Sequence, residues 1–147
     1  MKKVYVVNLC VLLIMFLTAG IVGRPNTDNQ QVKALIAGRI IVLNDFYSQK
    51  SGFDKTEDAL KKIEKSSLLK NDLTLMEAYS ATDLDRIQES KVKICSCRRS
   101  SYGIIKGKAE VSYVMSGQQG KWQDKQQYYF TAEDQNRKIK LTQLKKI

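Results

Sequence analysis

From Gln31 to Gln49 the apolar residues Val32, Leu35, Ile36, Ile40, Leu43 and Phe46 or Tyr47 recur at steps of three and four. That spacing lays one stripe along an α-helix, with Lys33, Arg39, Asn44 and Asp45 off it. The pattern restarts in SGFDKTEDALKKIEK, where Asp54 is placed to cap a second helix and Glu57 to complete a capping box. Leu60 and Ile63 then point one way, and Lys61, Lys62 and Lys65 the other. A third, short helix is expected over Asp72–Ser80, carrying Leu73, Leu75, Met76 and Tyr79. All three stripes read as packing surface.

From Ile87 onward the period changes to two. Val92 and Ile94 alternate with Lys91, Lys93 and Cys95. In the next run Ile105, Ala109, Val111, Tyr113 and Met115 share one face, and Lys106, Lys108, Glu110 and Ser112 take the other. Ser116–Lys121, SGQQGK, is a turn. A third strand over Trp122–Thr131 sets Trp122, Tyr128 and Phe130 beside Asp124 and Gln126. AEDQNR turns the chain again, and Ile139 and Leu141 alternate with Lys138 and Lys140. Strands joined by short turns make an antiparallel meander. A block of helices followed by a block of strands predicts an α+β fold, two to three helices packed on one face of a curved four-stranded sheet.

The N-terminus follows neither period. Val4–Gly23 contains Asn8 as its one clearly polar residue. A helical bilayer crossing needs about 20 apolar residues, whereas the apolar part of a secretory signal runs roughly 7–15. The length favours an uncleaved anchor; a cleaved signal, with Ala19, Gly20 and Gly23 as small residues, is the alternative. Cys10 lacks the small preceding residue of a lipid-modified cysteine. Lys2 and Lys3 favour the N-terminus inside. The expected organisation is an anchor or signal over 1–23, a linker over 24–30 broken by Pro25, and one extracytoplasmic domain over 31–147. The chain is thus expected at the cell membrane, single-pass with its C-terminal domain outside, or secreted.

The order of elements, with Gly120-Lys121-Trp122, Tyr128-Tyr129-Phe130 and Lys138-Ile139 in the closing hairpin, resembles the cone-shaped nuclear-transport-factor-two-like (cystatin-like) superfamily. Within that group it looks like small exported Firmicute domains of unknown function. Such domains often place Trp before the final Lys-Ile, where this chain has Arg137. The resemblance implies a cone-like fold, and a fold hosts many functions. Enzymes of the superfamily use Asp, His or Tyr inside the cone. This chain has no histidine, which removes the commonest general base, zinc ligand and nucleophile partner. Asp45 and Asp124, next to apolar positions, are the acids expected to approach the interior. No catalytic residue, metal or cofactor is assigned.

Cys95 and Cys97 raise a separate question. On a regular strand both point to one face, about 7 Å apart, too far for a relaxed disulfide, whose α-carbons sit about 4.4–6.8 Å apart. Two thiols without an imidazole do not make a zinc site. They are expected to be ordinary strand cysteines; a strained or intermolecular disulfide, or a redox pair activated by Arg98 and Arg99, stays open.

Charge changes the picture most. The formal net charge is +10. Residues 24–85 carry 9 basic and 10 acidic side chains, residues 86–147 carry 14 and 5. The excess therefore lies on the strands. Lys91, Lys93, Lys106, Lys108, Lys125, Lys138 and Lys140 are expected to form a basic sheet face. An exported, lysine-dominated surface does not suit nucleic acid. Its expected partners are the membrane, through the N-terminal helix, and a protein or an anionic envelope surface. The reading that follows is a non-enzymatic, membrane-tethered binding or assembly domain. A small-ligand binder or carboxylate enzyme, and an envelope immunity-type protein, are the alternatives.

Overall fold

In the computed structural model the described residues are 27–79, 85–118 and 120–147. The apolar run Val4–Gly23 and positions 24–26 of the expected linker lie outside them. Among the described residues no helix is long and apolar enough to cross a membrane.

Among the described residues three helices precede four strands: α1 (Thr27–Tyr47), α2 (Phe53–Ile63), α3 (Ser66–Tyr79), β1 (Arg86–Arg99), β2 (Ile104–Gly117), β3 (Gly120–Gln135) and β4 (Lys138–Lys146). The strands form one antiparallel sheet in the order β1-β2-β3-β4, with the helices packed against it. The α+β class and the meander follow the sequence pattern.

Helix α1 buries Val32, Ile36 and Ile40 against Val92, Ile105, Ala109, Val111, Phe130, Ala132 and Leu141 of the sheet. A second cluster joins the helices to one another, through Phe46, Leu60 and Met76. Cross-strand partners identify the helix-facing side: Val92 opposes Val111, Ile105 opposes Ala132, and Ala132 opposes Leu141.

Boundaries differ from the expected ones for local reasons. Helix α1 starts at Thr27, inside the stretch expected to be linker, and Asp28 in its first turn is held by Arg99. Asp54 does not cap α2. Gly52 is the N-cap and makes no side-chain cap bond, while Thr56 Oγ1 donates to the Gly52 carbonyl. Helix α3 begins at Ser66, well before Asp72; its buried stripe is Leu68, Asp72 and Met76, and Leu75 and Tyr79 are exposed. Strand β3 runs on to Gln135, because Asn136 and Arg137 both take positive φ and close a two-residue hairpin.

Edge strand β1 is not regular. Its register shifts between Ile87 and Glu89 and again between Ile94 and Ser96. The second shift inserts Cys95 as an extra residue and sends Cys95 and Cys97 to different sides. Cys95 is exposed, and Cys97 packs against the core. The expectation that both thiols share a face fails on this bulge. Both are free. The bulge also explains Gly107: a Cβ there would lie 1.9 Å from the Ser96 carbonyl oxygen and 2.6 Å from the Phe130 ring. At the other end of β1, the Asn44 side chain accepts from the Ile87 amide (2.9 Å) and donates to its carbonyl (3.0 Å). A side-chain amide there does what a neighbouring strand would do.

The two ends of the sheet are distinct. Arg99 grips both carboxylate oxygens of Asp28, at 2.8 and 2.6 Å, and Asp134 at 2.8 Å. Asp134 N in turn donates to the Gly103 carbonyl. The start of α1, the β1–β2 turn and the β3–β4 turn therefore meet at one end. The β2–β3 turn and Trp122 lie at the other, about 35–40 Å away at 3.3 Å per strand residue.

Candidate functional site

Two polar assemblies stand out, one inside and one outside. The interior one was not legible as such. Arg39, expected off the α1 stripe, turns under the helices, and its side chain is only 18% exposed. Its Nε and Nη2 donate to the two oxygens of Asp72 at 2.7 and 2.6 Å, a bidentate pair. Glu64, the C-cap of α2, projects into the same space because its segment bridges to Leu141 of β4. It is fully buried, 3.5 Å from Arg39 Nε, and neither carboxyl oxygen has a hydrogen-bond partner. One guanidinium thus faces two carboxyls and is engaged by one of them. Burial first, and the Asp72 charge second, push the Glu64 carboxyl up to about 8, with Arg39 opposing. The direction of the shift favours the neutral, protonated acid.

Toward the sheet the interior continues in Tyr113, Tyr128, Gln126 and Asp124. The Tyr113 and Tyr128 hydroxyls lie 3.2 Å apart, Tyr128 donates to Gln126 Oε1, and Gln126 Nε2 donates to Asp124 Oδ2 at 2.6 Å. Burial, then the Tyr128 bond, raises the Tyr113 phenol. Asp124 does lie on the helix-facing side, opposite Tyr113. Asp45 does not reach the interior: it is partly exposed and stands 4.0 Å from Lys50.

On the outer face the register brings most of the expected lysines together. Lys91 and Lys125 flank Ser112; Lys93 opposes Glu110; Lys108 opposes Ser96 and Tyr129; Lys106 opposes Arg98 and Thr131. Two expected members leave the set. Lys140 is half-buried, and its ammonium donates to the Lys61 carbonyl near the C-terminus of α2, where helix carbonyls favour a cation. Lys138 sits by the β3–β4 turn, in a corner shared with Lys65 and Glu133, which pair at 2.6 Å. Lys125 is partnered by Glu110 at 2.9 Å, which holds the Glu110 carboxyl below its ordinary value.

What remains is a cleft of about 420 Å³ bounded by Arg98, Lys106, Lys108, Tyr129, Ser96 and Thr131. Gly107 and Phe130 also border it, while the Phe130 side chain belongs to the core and is only 2% exposed. Lys108 stands 5.0 Å over the Tyr129 ring. No carboxylate lines the cleft, and among the described residues Arg98, Lys106 and Lys108 have no acidic partner. By contrast the cleft at the other end of the sheet, about 360 Å³, includes Glu89 beside Lys91 and Lys125. Arg98 was not singled out as a member of the basic face. Simple alternation from Val92 and Ile94 would turn it inward; the bulge at Cys95, which the sequence does not mark, turns it outward.

No family model matches this chain, and no curated protein matches it. Among solved structures it is similar to the crystal structure of the intermembrane space region of chloroplast protein ARC6, with a TM-score of 0.58. The match is 14% identical and covers 84% of this chain and 98% of that one. At that identity the likeness is one of fold alone.

Proposed function

We propose that the chain is a non-enzymatic, membrane-tethered extracytoplasmic domain of cone-like, nuclear-transport-factor-two-like build, which binds an anionic partner through the outer face of its sheet. One observation carries this reading: Arg98, Lys106 and Lys108 converge with an aromatic ring on a cleft that holds no carboxylate. Three uncompensated cations in one concavity attract anions at long range and fix them by hydrogen bonds at short range. The similar region of ARC6 lies in an intermembrane space, which is consistent with use of this fold beside a membrane.

The interior acids favour a second reading, a carboxylate enzyme, since a carboxyl held protonated near neutrality is suited to proton transfer. Glu64, however, is fully buried and lines none of the clefts described here. Its place supports a role in packing.

The test measures binding of the full chain, in mild detergent, to a fluorescent oligoglutamate and to phosphatidylglycerol vesicles. Reversing the cleft (Arg98→Glu, Lys106→Glu, Lys108→Glu) is expected to weaken binding to at least one probe by an order of magnitude or more. Reversing Lys61 and Lys62 on α2 is expected to leave it nearly unchanged. Equal losses from both sets would reduce the effect to net charge and refute the cleft as the site.

A further inference from the structure

The basic residues are not spread evenly along the sheet, and their position relative to the chain's entry point has a consequence. The entry point is Thr27–Asp28, locked by Arg99 to the end of the sheet that holds the β1–β2 and β3–β4 turns. The same end carries Arg98, Lys106, Lys108, Arg137 and Lys138. The acids there are engaged within the fold: Asp28 and Asp134 by Arg99, and Glu133 by Lys65. Tyr102, at the tip of the β1–β2 turn, is 88% exposed, the largest exposure among the large apolar and aromatic side chains described.

Reach fixes the rest. Between Gly23, the last residue of the apolar run, and Asp28 there are four intervening residues. Even fully extended, that connection spans no more than about 18 Å, at 3.3–3.6 Å per residue. An end of the domain tied this closely to an anchor stays within about two Debye lengths of the bilayer surface at physiological salt. A tyrosine projecting ahead of a cluster of lysine and arginine is the side-chain set that sits at a headgroup layer, with the ring at the interface and the cations on phosphates.

We infer that this end of the sheet, Tyr102 with Arg98, Lys106, Lys108, Arg137 and Lys138, docks on anionic phospholipid headgroups of the membrane that holds the chain's own anchor. The inference rests on the membrane-tethered reading and names the anionic partner that the cleft takes. Docking sets the strands upright on the bilayer and presents the opposite end, with Trp122 and the β2–β3 turn, away from it.

The sheet carries its own control. In the reporter chain Tyr102→Trp is combined with Trp122→Phe, and the parent keeps Trp122 as the distal probe. Both full-length chains go into nanodiscs of phosphatidylcholine with brominated acyl chains, with or without a third of the lipid replaced by brominated phosphatidylglycerol. Tryptophan at 102 is expected to be quenched at least twice as strongly in the anionic discs as in the neutral ones, and Trp122 to be nearly unquenched in both. High salt should bring the anionic result down to the neutral one, a readout that needs no further variant; the triple reversal of Arg98, Lys106 and Lys108 should do the same. A chain that elutes with the discs while position 102 is no more quenched than 122 would overturn the docking and leave the tether standing. Equal quenching in neutral and anionic discs would overturn the headgroup recognition. A chain that elutes apart from the discs would refute the tether and the docking together. An unquenched hairpin whose cleft binds oligoglutamate would overturn the lipid in favour of an acidic protein segment.

Discussion

Replacing Glu64 with Gln should abolish most of the pH dependence of stability between pH 5 and 8. The carboxyl faces Arg39 from α1 and Asp72 from α3, and no hydrogen bond reaches it. Its value rises from 4.5 to about 8. Between those two values the folded chain holds a proton that the unfolded chain has released. Stability is therefore fully present below about 4.5 and is lost as pH rises through about 8, with a slope of about 1.4 kcal/mol per pH unit. Across the whole window the loss is about 5 kcal/mol. A domain of this size has about 5–15 kcal/mol in total, so the effect is large enough to dominate the profile.

The window is also clean. The chain has no histidine, so no imidazole titrates there, and the Cys97 thiol is pushed up by burial. Urea denaturation of the full chain in detergent, followed by far-ultraviolet circular dichroism at each pH, gives the slope. The parent should lose stability steadily from pH 5 to 8, and Glu64→Gln, which mimics the protonated acid, should be nearly flat. A parent whose stability is flat or rises over that range would refute the argument, as would a Gln variant that keeps the parental slope. Either result would mean that Glu64 is ionised and that Arg39 compensates both acids.

Other substitutions test separate parts of the fold. Gly107→Ala should destabilise by about 1–3 kcal/mol or more, since its methyl would strike the Ser96 carbonyl and the Phe130 ring; an unchanged melting temperature would show that the bulge leaves room for a methyl group. Asn44→Ala strips the Ile87 amide and carbonyl of their side-chain partner and should cost about 1–3 kcal/mol, with faster hydrogen exchange at Ile87; unchanged exchange there would count against the edge-capping role. Cys95 should react with a thiol reagent before Cys97, which is packed on the core, and mass spectrometry of the partly modified chain would reveal the reverse order.

The sheet was legible because alternation survives wherever one face is buried. Ile105, Ala109 and Val111 on one side and Lys106, Lys108 and Ser112 on the other hold their places residue for residue. The interior charges were not legible, because an ionic side chain on a helix reads as solvent-facing by default. Asp72 did carry a signal: it stands midway between Leu68 and Met76 at steps of four, on the line of their stripe. Nothing local marks Glu64, whose burial comes from a bridge to Leu141, far away in the chain. The thiol geometry failed for a related reason. A one-residue register shift at Cys95 is accommodated by the missing side chain of Gly107 on the next strand, and period-two counting along a single strand cannot contain that.

The polarity of the outer charge follows from topology rather than from the number of lysines. In a four-stranded meander the first and third connections fall at one end of the sheet and the second at the other. Helix α1 runs antiparallel to β1, from Asp28 beside Arg99 to Asn44 beside Ile87, so the chain enters at the end with two turns. That end needs acids to tie three segments together, and Asp28, Asp134 and Glu133 supply them. Those acids are neutralised by Arg99 and Lys65, which leaves Arg98, Lys106, Lys108, Arg137 and Lys138 without acidic partners among the described residues. At the other end Glu110 still answers Lys125, and Glu89 stays near Lys91. A chain with the same composition but with α1 reversed would present its balanced end to whatever precedes Thr27. The direction of one helix therefore decides whether the surplus charge faces the chain's entry point or points away from it.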